Sequence, residues 1–403
     1  MKSAGQRPIQ MASAGRRCQV GNAIRTRIWS ALTIRQLKKA GIPLPASAPK
    51  ERAEERVLIG PVNSAGQGYL WARSLERIRP EISASNMKIA ASSDRYGYPA
   101  DLTVPSGYAA HSRTWQKDQF AALRHYQGVL IESAALVLGG AFKSDCLAQI
   151  EALRRANPKL ALIFHGSDLR DPDSHLAREP ESYFRVDSDF TEEMRRKSRR
   201  SKELIAKSGT RVFVSTPDLL RESGGATLLP VVVKSEAWET RERPLSRGRR
   251  PRVVHAPSSS HIKGTDLIDG RMQRLNDAGL IEYQRISGIR HSEMRNVYRE
   301  ADIVLDQFRG GPYGVAACEA LAAGRIVVSH VPEWDRKLTR ELSGKELPIV
   351  QSAASELEDV IAEILSDPQK ARENALKGPE FVRHWHDGRE SGRVLAEWLD
   401  SVT

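Results

Sequence analysis

From position 56 onward, short apolar runs alternate along the chain with longer segments of helical periodicity. The runs are long enough for buried strands and too short for helices. They predict strands over 57–60, 88–91, 128–131, 160–164, 212–215, 252–255, 281–285, 302–305 and 326–328. The segments between them predict helices that include 68–78, 115–125, 144–156, 191–208, 265–278, 293–299 and 315–323. This alternation predicts an α/β protein whose parallel sheets carry helices on both faces.

The pattern occurs twice, because a polar stretch interrupts it at 234–251 and it then restarts. We therefore predict two tandem Rossmann-like, doubly wound domains with a cleft between them. In such sheets, ligands bind outside the carboxyl ends of the strands. The predicted division is a basic arm at 1–52, a first domain at 53–235, a linker at 236–251, a second domain at 252–380 and a terminal helical segment at 381–403.

The stretch 301–328 is predicted to form a strand, a glycine-rich turn, a short helix and a second strand. Gly310, Gly311 and Gly314 force a tight loop, and the helix that follows is apolar except for Glu319. A loop of backbone N–H groups that leads into a helix N-terminus is an anion site. A carboxylate in an apolar helix must accept hydrogen bonds, because burying it unpaired costs several kcal/mol. Phosphate and ribose hydroxyls together meet both needs, so this stretch predicts a nucleotide site.

Two loops of the first domain directly follow predicted strands. Gly66 and Gly68 begin the dinucleotide fingerprint, but Trp71 stands where its third glycine belongs, so that fingerprint is broken. The glycine pair fits a tight turn as well as a ligand contact. His165 directly follows the fourth predicted strand, which places its imidazole at the mouth of the cleft. Asp168 offers a polar side chain there or simply caps a turn.

In the second domain, a serine-rich loop leads to Lys263 and the helix at 265–278. A lysine beside a helix N-terminus is unfavourable for the helix dipole unless an anion lies there. Lys263 would then supply the countercharge to a leaving phosphate. Ser258 and the two serines after it could donate to the same phosphates. The alternative is an exposed lysine on the surface.

The net charge of +12 is unevenly distributed. Positions 1–56 hold twelve Lys or Arg against three Glu, which is +9, so the rest of the chain carries only +3. This argues against a specific nucleic-acid binder. The basic arm is either a flexible, solubilising extension or a contact with an anionic membrane surface. Two further basic clusters, at 195–200 and 247–252, are either solvated surface or contacts for an anionic acceptor or lipid head group.

No apolar run approaches the roughly 18 residues of a membrane span, and the N-terminus lacks the apolar core of a secretory signal. Cys18, Cys146 and Cys318 are far apart and form no CxxC pair, so neither a disulfide framework nor a zinc site is predicted. No second histidine lies at metal-ligand spacing from His165. We therefore expect a cytoplasmic protein without a metal cofactor.

Together these pieces resemble a nucleotide-sugar glycosyltransferase of the GT-B type, similar to the retaining family 4 (glycosyl transferases group 1). The resemblance covers 253–330 well and the first domain more loosely. A helix at 385–399 resembles the terminal helix of that family, which crosses back to the first domain. The resemblance therefore implies two Rossmann-like domains with the donor site in the second.

In that family the second carboxylate of an E-x7-E motif binds the donor ribose, and Glu319 matches it. The first glutamate would fall at Gly311, where the loop backbone would have to replace it. Lys263 matches the lysine of the basic pair that holds the diphosphate, whereas Ser258 stands at the usual position of the arginine. His165 matches the histidine near the donor sugar and the reacting centre.

The resemblance implies catalytic roles for His165 and Lys263, and contacts of Gly66, Gly68 and Asp168 with the acceptor or the cleft. The implied donor-binding residues are Ser258, Lys263, Gly311, Pro312, Tyr313, Gly314, Val315 and Glu319. It also implies a UDP- or GDP-sugar donor, a saccharide or lipid-linked acceptor, retention of configuration, and no metal or other cofactor. The expected setting is polysaccharide biosynthesis for the cell envelope, in the cytoplasm or at the inner face of the cytoplasmic membrane.

Two other functions stay open on the same fold. One is a nucleotide-sugar epimerase. The other is a non-catalytic scaffold that binds a nucleotide or a partner transferase. Such a scaffold would be consistent with Gly311 and Ser258, which stand where the family has a glutamate and an arginine. A nicotinamide dehydrogenase is disfavoured, because the first loop lacks its third glycine.

Overall fold

The computed structural model describes residues 35, 55–90, 96–156, 159–246 and 248–401. Apart from Arg35, the predicted basic arm lies outside these residues, as do Cys18 and the membrane contact proposed for the arm. No helix of the described part is long and apolar enough to cross a membrane.

The first domain is built on a parallel sheet of seven strands in the order β3-β2-β1-β4-β5-β6-β7. Its strands are β1 (Glu55–Gly60), β2 (Ile82–Ala90), β3 (Leu102–Pro105), β4 (Gly128–Glu132), β5 (Lys159–Phe164), β6 (Arg211–Val214) and β7 (Thr227–Leu228). Its helices are α1 (Gln67–Ile78), α2 (Ser106–His111), α3 (Arg113–Leu123), α4 (Cys146–Arg155), α5 (Pro172–Arg178) and α6 (Ser188–Ser208). Apolar clusters lie on both faces of this sheet.

The second domain has a parallel sheet of five strands in the order β12-β11-β10-β8-β9. Its strands are β8 (Arg252–His255), β9 (Glu282–Arg285), β10 (Ile303–Leu305), β11 (Ile326–Ser329) and β12 (Val350–Gln351). Its helices are α7 (Ser260–Lys263), α8 (Thr265–Asp277), α9 (His291–Glu300), α10 (Val315–Ala322), α11 (Glu333–Ser343), α12 (Leu357–Ser366) and α13 (Pro368–Trp385). The predicted fold class of two doubly wound domains is confirmed.

Three strands escaped the prediction because their sequences lack a long apolar run. β7 and β12 have only two residues each, and β3 ends in Pro105. β2 begins six residues before the predicted start at 88, because its first half alternates buried and exposed side chains. Such alternation is typical of a strand with one solvated face.

The chain returns to the first domain through α14 (Arg389–Asp400), which packs against α1. The predicted helix at 385–399 begins later, because Gly388 adopts a left-handed conformation, with φ of 93°, between α13 and α14. Leu395 and Trp398 of α14 are buried in the same apolar cluster as Trp71 and β1. Gly392 packs closely against the backbone of α1.

Two segments that run between the domains lie side by side. Val233 donates its N–H to the His386 carbonyl at 2.8 Å, and the His386 Nδ1 atom lies 2.8 Å from the Val231 carbonyl oxygen. The buried amide of Gln67 bonds both the N–H and the carbonyl of Val232, at 2.6 and 3.1 Å. These bonds join both crossing segments to the start of α1.

The domains also meet at the N-terminal end of α11. The guanidinium of Arg221 lies 3.4 Å from the centroid of the Trp334 ring. Asp335 beside it is buried, and its Oδ1 atom has no hydrogen-bond partner among the described residues. Burial raises the pKa of Asp335, as does the Asp218 carboxylate, and the guanidinium groups of Arg221 and Arg170 offset this only in part.

We expect Gly392→Ala to destabilise the protein, because a Cβ atom there would lie 2.4 Å from the Ser74 carbonyl oxygen. Overpacking of this kind typically costs about 1–3 kcal/mol. Gly270→Ala in α8 is the matched control, because a Cβ atom there meets nothing within 4 Å. Alanine in an open helix position stabilises by up to about 1 kcal/mol relative to glycine. Urea unfolding midpoints would contradict the packing argument if both variants shifted in the same direction.

We expect Asp335→Asn to raise the thermal unfolding midpoint more at pH 8 than at pH 5. The folded-state pKa of Asp335 lies above that of an unfolded aspartate, which is about 4. Stability therefore falls as the pH rises from about 4 to the raised pKa, and the loss is complete above it. The exposed Asp359 gives a control, Asp359→Asn. Equal shifts at both pH values would contradict this assignment.

Candidate active site

The carboxyl ends of the strands carry polar side chains in both domains. In the first sheet, Glu132 ends β4 and His165 follows β5. In the second sheet, His291 lies beyond β9 and Asp306 directly follows β10. Because all the strands are parallel, these groups emerge at the edge of each sheet where ligands bind.

Glu319 lies on α10 with 6% of its surface exposed, as expected for a carboxylate in an apolar helix. Its Oε1 atom forms a hydrogen bond of 2.5 Å with the Nε2 atom of His291, the first residue of α9. Burial raises the pKa of Glu319, and the hydrogen bond from His291 offsets part of this effect. The sequence alone did not identify a protein partner for this carboxylate. In the structure its partner is His291, which lies in the connection that follows β9.

Two adjoining cavities meet at Glu319. The larger, of about 260 Å³, is bounded by both domains. Its lining includes Gly66, Tyr69, Tyr98, Trp238, His291, Arg295 and Glu319. The smaller, of about 90 Å³, extends past Ser258 and Ala316. Tyr98, His291 and Glu319 line both cavities, so they hold a carboxylate, an imidazole and a phenol ring at the junction.

Tyr98 is the side chain that the first domain contributes to this junction. Its ring lies 4.5 Å from that of His291, measured between centroids. The neighbouring Tyr96 accepts the His291 N–H with its carbonyl at 3.2 Å and donates its hydroxyl to the Ser258 carbonyl at 3.3 Å. A segment of the first domain thus covers the cavities and contacts the second domain directly.

The loop before α10 has open space at Gly311, where a Cβ atom would meet nothing within 4 Å. Its φ of 151° is strained for any residue with a side chain. Gly314 precedes α10, and no side chain caps the first N–H groups of that helix. Pro312 lies between these glycines, and Val315 begins the helix. The first N–H groups of α10 therefore have no side-chain cap, and uncapped N–H groups at a helix N-terminus are the kind that bind anions.

The ring of Tyr313 points away from the cavities. It is buried in the core of the second domain, against Phe381 and His386. Its hydroxyl lies 3.3 Å from the Nε2 atom of His386. Only the backbone of Tyr313 is therefore left to contact a donor.

Lys263 lies directly before Gly264, the N-cap of α8, as the sequence predicted, and it is also the last residue of the single turn α7. Its Nζ atom forms an ion pair of 2.6 Å with Asp306 Oδ1. The Oδ2 atom of Asp306 is buried without a hydrogen-bond partner among the described residues. The anion beside Lys263 in the structure is therefore a carboxylate of the protein.

His165 stacks on Trp71, with ring centroids 5.7 Å apart and planes 8° apart. Its backbone N–H donates to Asp168 Oδ1 at 3.0 Å. Asp168 therefore caps the loop, which is the second of the two roles that the sequence allowed for it. Its Nε2 atom faces Glu132 Oε1 at 3.5 Å, and neither atom has a hydrogen-bond partner in the described part of the chain. Burial opposes a charged imidazole, but Glu132 and Asp168 outweigh it and raise the pKa of His165.

Glu132 also joins the first loop to this group. Its Oε2 atom accepts the N–H groups of Val62 and Asn63 at 2.9 and 2.7 Å. Gly68 packs behind it, where a Cβ atom would lie 2.4 Å from the Asn86 amide. Gly68 is therefore a close-packing position, whereas Gly66 lines the larger cavity, where a Cβ atom would lie 2.9 Å from the Tyr98 ring.

The structure brings together Gly66, Ser258 and Glu319, which line the two adjoining cavities. It does not bring Lys263 or His165 into the lining of either cavity. Sequence reasoning missed His291, Glu132 and Tyr98. The first two had a usable signal, since each lies at or just beyond the carboxyl end of a strand.

Cysteine and metal chemistry have little support in the described residues. Cys146 and Cys318 are buried free thiols. No group of three or more His, Cys, Asp or Glu residues in the described ranges is arranged to hold a metal ion. Chemistry without a metal or other cofactor stays a prediction.

No protein-family model matches this chain, and no curated protein matches it. Solved structures do share its fold. Sucrose-phosphate synthase from Thermosynechococcus elongatus matches at 14% identity and a TM-score of 0.53, over 86% of this chain and 98% of that chain. HepE from Anabaena, in complex with UDP and glucose, matches at 14% identity and 0.56, over 86% and 100%. A glycosyltransferase from Rickettsia africae matches at 11% identity and 0.55, over 86% and 98%. At these identities the likeness shows the fold alone, which is the GT-B arrangement of two Rossmann-like domains.

Proposed function

We propose that this protein is a glycosyltransferase that transfers a sugar from a nucleotide-sugar donor bound in the cleft. The observation that carries the proposal is the buried carboxylate of Glu319 at the junction of two cavities. Ribose offers vicinal hydroxyls that donate to such a group, and they would replace or share its bond with His291. The likeness to HepE, solved with UDP and glucose, supports a uridine nucleotide.

The donor diphosphate would lie at the N-terminus of α10, beside the open backbone of Gly311 to Val315. Lys263 would supply countercharge as the phosphate departs, once its ion pair with Asp306 is shared with the diphosphate. Preorganised donors of this kind stabilise charge that develops in a transition state. The missing carboxylate at Gly311 leaves the transferred sugar in contact with backbone groups of this loop.

The proposed reaction retains configuration and needs no metal. The bond between the anomeric carbon and the diphosphate oxygen breaks, and the acceptor oxygen bonds to the same face of the sugar. The acceptor proton passes to the leaving diphosphate. His165 and Glu132 would line the acceptor side, and closure of the domains would limit hydrolysis of the donor. Membership of family 4 and a role at the cytoplasmic face of the membrane belong to the same proposal.

We expect one of the UDP-, GDP- or ADP-sugars to raise the unfolding midpoint in a thermal-shift screen, with a UDP-sugar first. A ligand at about 100 times its Kd adds about 2.7 kcal/mol to the free energy of unfolding.

In Glu319→Gln, the donor Kd should rise by about tenfold or more, since hydrogen bonds to charged groups are worth roughly 1.5–3 kcal/mol. Glu341→Gln, on the exposed surface of α11, is the control. No stabilisation by any of these donors would contradict the proposal.

We expect Lys263→Ala to lower kcat by about 100-fold, as loss of one charge-stabilising donor does elsewhere. Asp306→Asn should lower the Kd for UDP, because it removes the carboxylate that competes for Lys263. Lys370→Ala, at an exposed ion pair on α13, is the control.

Product analysis with labelled donor, with and without acceptor, separates transfer from epimerisation. Unchanged turnover in Lys263→Ala would remove its catalytic assignment, and donor binding without any product would favour the scaffold.

A further inference from the structure

A second large cavity lies within the first domain, outside the cleft. It is an open groove of about 1000 Å³ between α6 and the segment 141–148. We call it the basic groove. One end is formed by Ser133 and Ala134, the two residues that directly follow Glu132. The groove therefore begins beside the group formed by His165 and Glu132.

Four cations line the basic groove. Lys197, Arg200 and Lys207 lie on one face of α6, and Lys143 lies on the opposite wall. All four side chains are exposed, and no described carboxylate forms an ion pair with any of them. Two acidic residues also line the groove, so its formal net charge is +2. Phosphate groups are recognised by convergent cations of this kind.

The other cationic face of α6 behaves differently. Arg195 forms an ion pair with Asp173 at 2.6 Å, and Lys202 pairs with Asp171 and Glu222 at 3.0 and 3.1 Å. Arg195 and Lys202 are therefore neutralised within the protein, whereas the cations of α6 in the groove are available to a ligand. Arg196 and Arg199 lie outside the groove, are likewise exposed and form no ion pair with a described carboxylate, so what distinguishes the four groove cations is that they line one groove.

The floor of the basic groove is apolar. It includes Ala134, Phe142, Leu147 and Leu204, which are partly or fully buried. A free phosphate or sugar phosphate would leave this floor in contact with water. An amphiphile with a phosphate would cover the floor with its chain and meet the cations with its head group.

Hydrogen bonds link the end of the groove to His165. Ser133 donates its hydroxyl to Asp168 Oδ2 at 2.6 Å, and Asp168 holds the backbone of His165. His165 Nε2 and Glu132 Oε1 are buried, face each other and have no hydrogen-bond partner among the described residues.

We propose that the basic groove binds the acceptor, and that the acceptor is a lipid-linked saccharide with a phosphate between the lipid and the sugar. The cations would hold the phosphate, the apolar floor would contact the first part of the lipid, and the sugar would extend toward His165. This inference rests on the proposed function, since it assigns the acceptor of that reaction.

The test uses decyl phosphate below its micelle concentration, with decyl glucoside and inorganic phosphate as comparison probes, in calorimetric titrations of the full chain. We expect decyl phosphate to bind at least about tenfold more tightly than either comparison probe, because only it engages both the cations and the apolar floor. Arg200→Ser should weaken its binding by about tenfold. Arg196→Ser removes the same charge from an exposed position of α6 outside the groove, and should leave binding within about twofold.

Equal losses in Arg200→Ser and Arg196→Ser would overturn the site, because they would indicate diffuse surface charge. Equal binding of decyl glucoside would remove the phosphate from the proposal, and equal binding of inorganic phosphate would remove the lipid. The thermal-shift screen with nucleotide sugars tests the cleft separately. Donor binding without decyl phosphate binding would reject only the acceptor assignment, whereas the reverse would reject only the proposed donor site.

Discussion

The parallel direction of all the described strands is the constraint on which the candidate site depends. Parallel strands require crossover connections, so the loops after their carboxyl ends emerge at one edge of each sheet. That edge carries Glu132 and His165 in the first domain, and Asp306 and the approach to Glu319 in the second. The two crossing segments near Val232 and His386 then hold the domains so that a cavity lies between them.

Within this arrangement, two pairs of polar side chains lie on the proposed donor side. Glu319 is bonded to His291, and Lys263 is bonded to Asp306. Buried charges need such partners, because an unpaired carboxylate or ammonium group is costly in a low-dielectric site. Binding a nucleotide sugar would therefore exchange partners instead of filling unoccupied positions. Tyr98 of the first domain contacts His291, so a change in the partner of His291 would also alter a contact between the two domains.

The proposed acceptor side differs from the donor side in its pairing. The Oε1 atom of Glu132 and the Nε2 atom of His165 have no hydrogen-bond partner among the described residues, and the cations of the nearby basic groove form no ion pair with a described carboxylate. Unpaired polar groups raise the free energy of the ligand-free protein, and a ligand that bonds to them removes this cost. A ligand at the proposed donor side would therefore exchange partners with the two bonded pairs, whereas one at the proposed acceptor side would meet cations that have no acidic partner among the described residues.

The sequence by itself determined the fold class and the local chemistry of single loops. Alternating apolar runs and helical segments predict parallel sheets, and an acidic residue in the apolar helix of Glu319 predicts a buried, hydrogen-bonded carboxylate. Only the tertiary structure decided the partners. His291 precedes Glu319 by 28 positions, and Asp306 follows Lys263 by 43. Local periodicity carries no information about which strand connections lie side by side, because that depends on sheet order and on packing between distant elements.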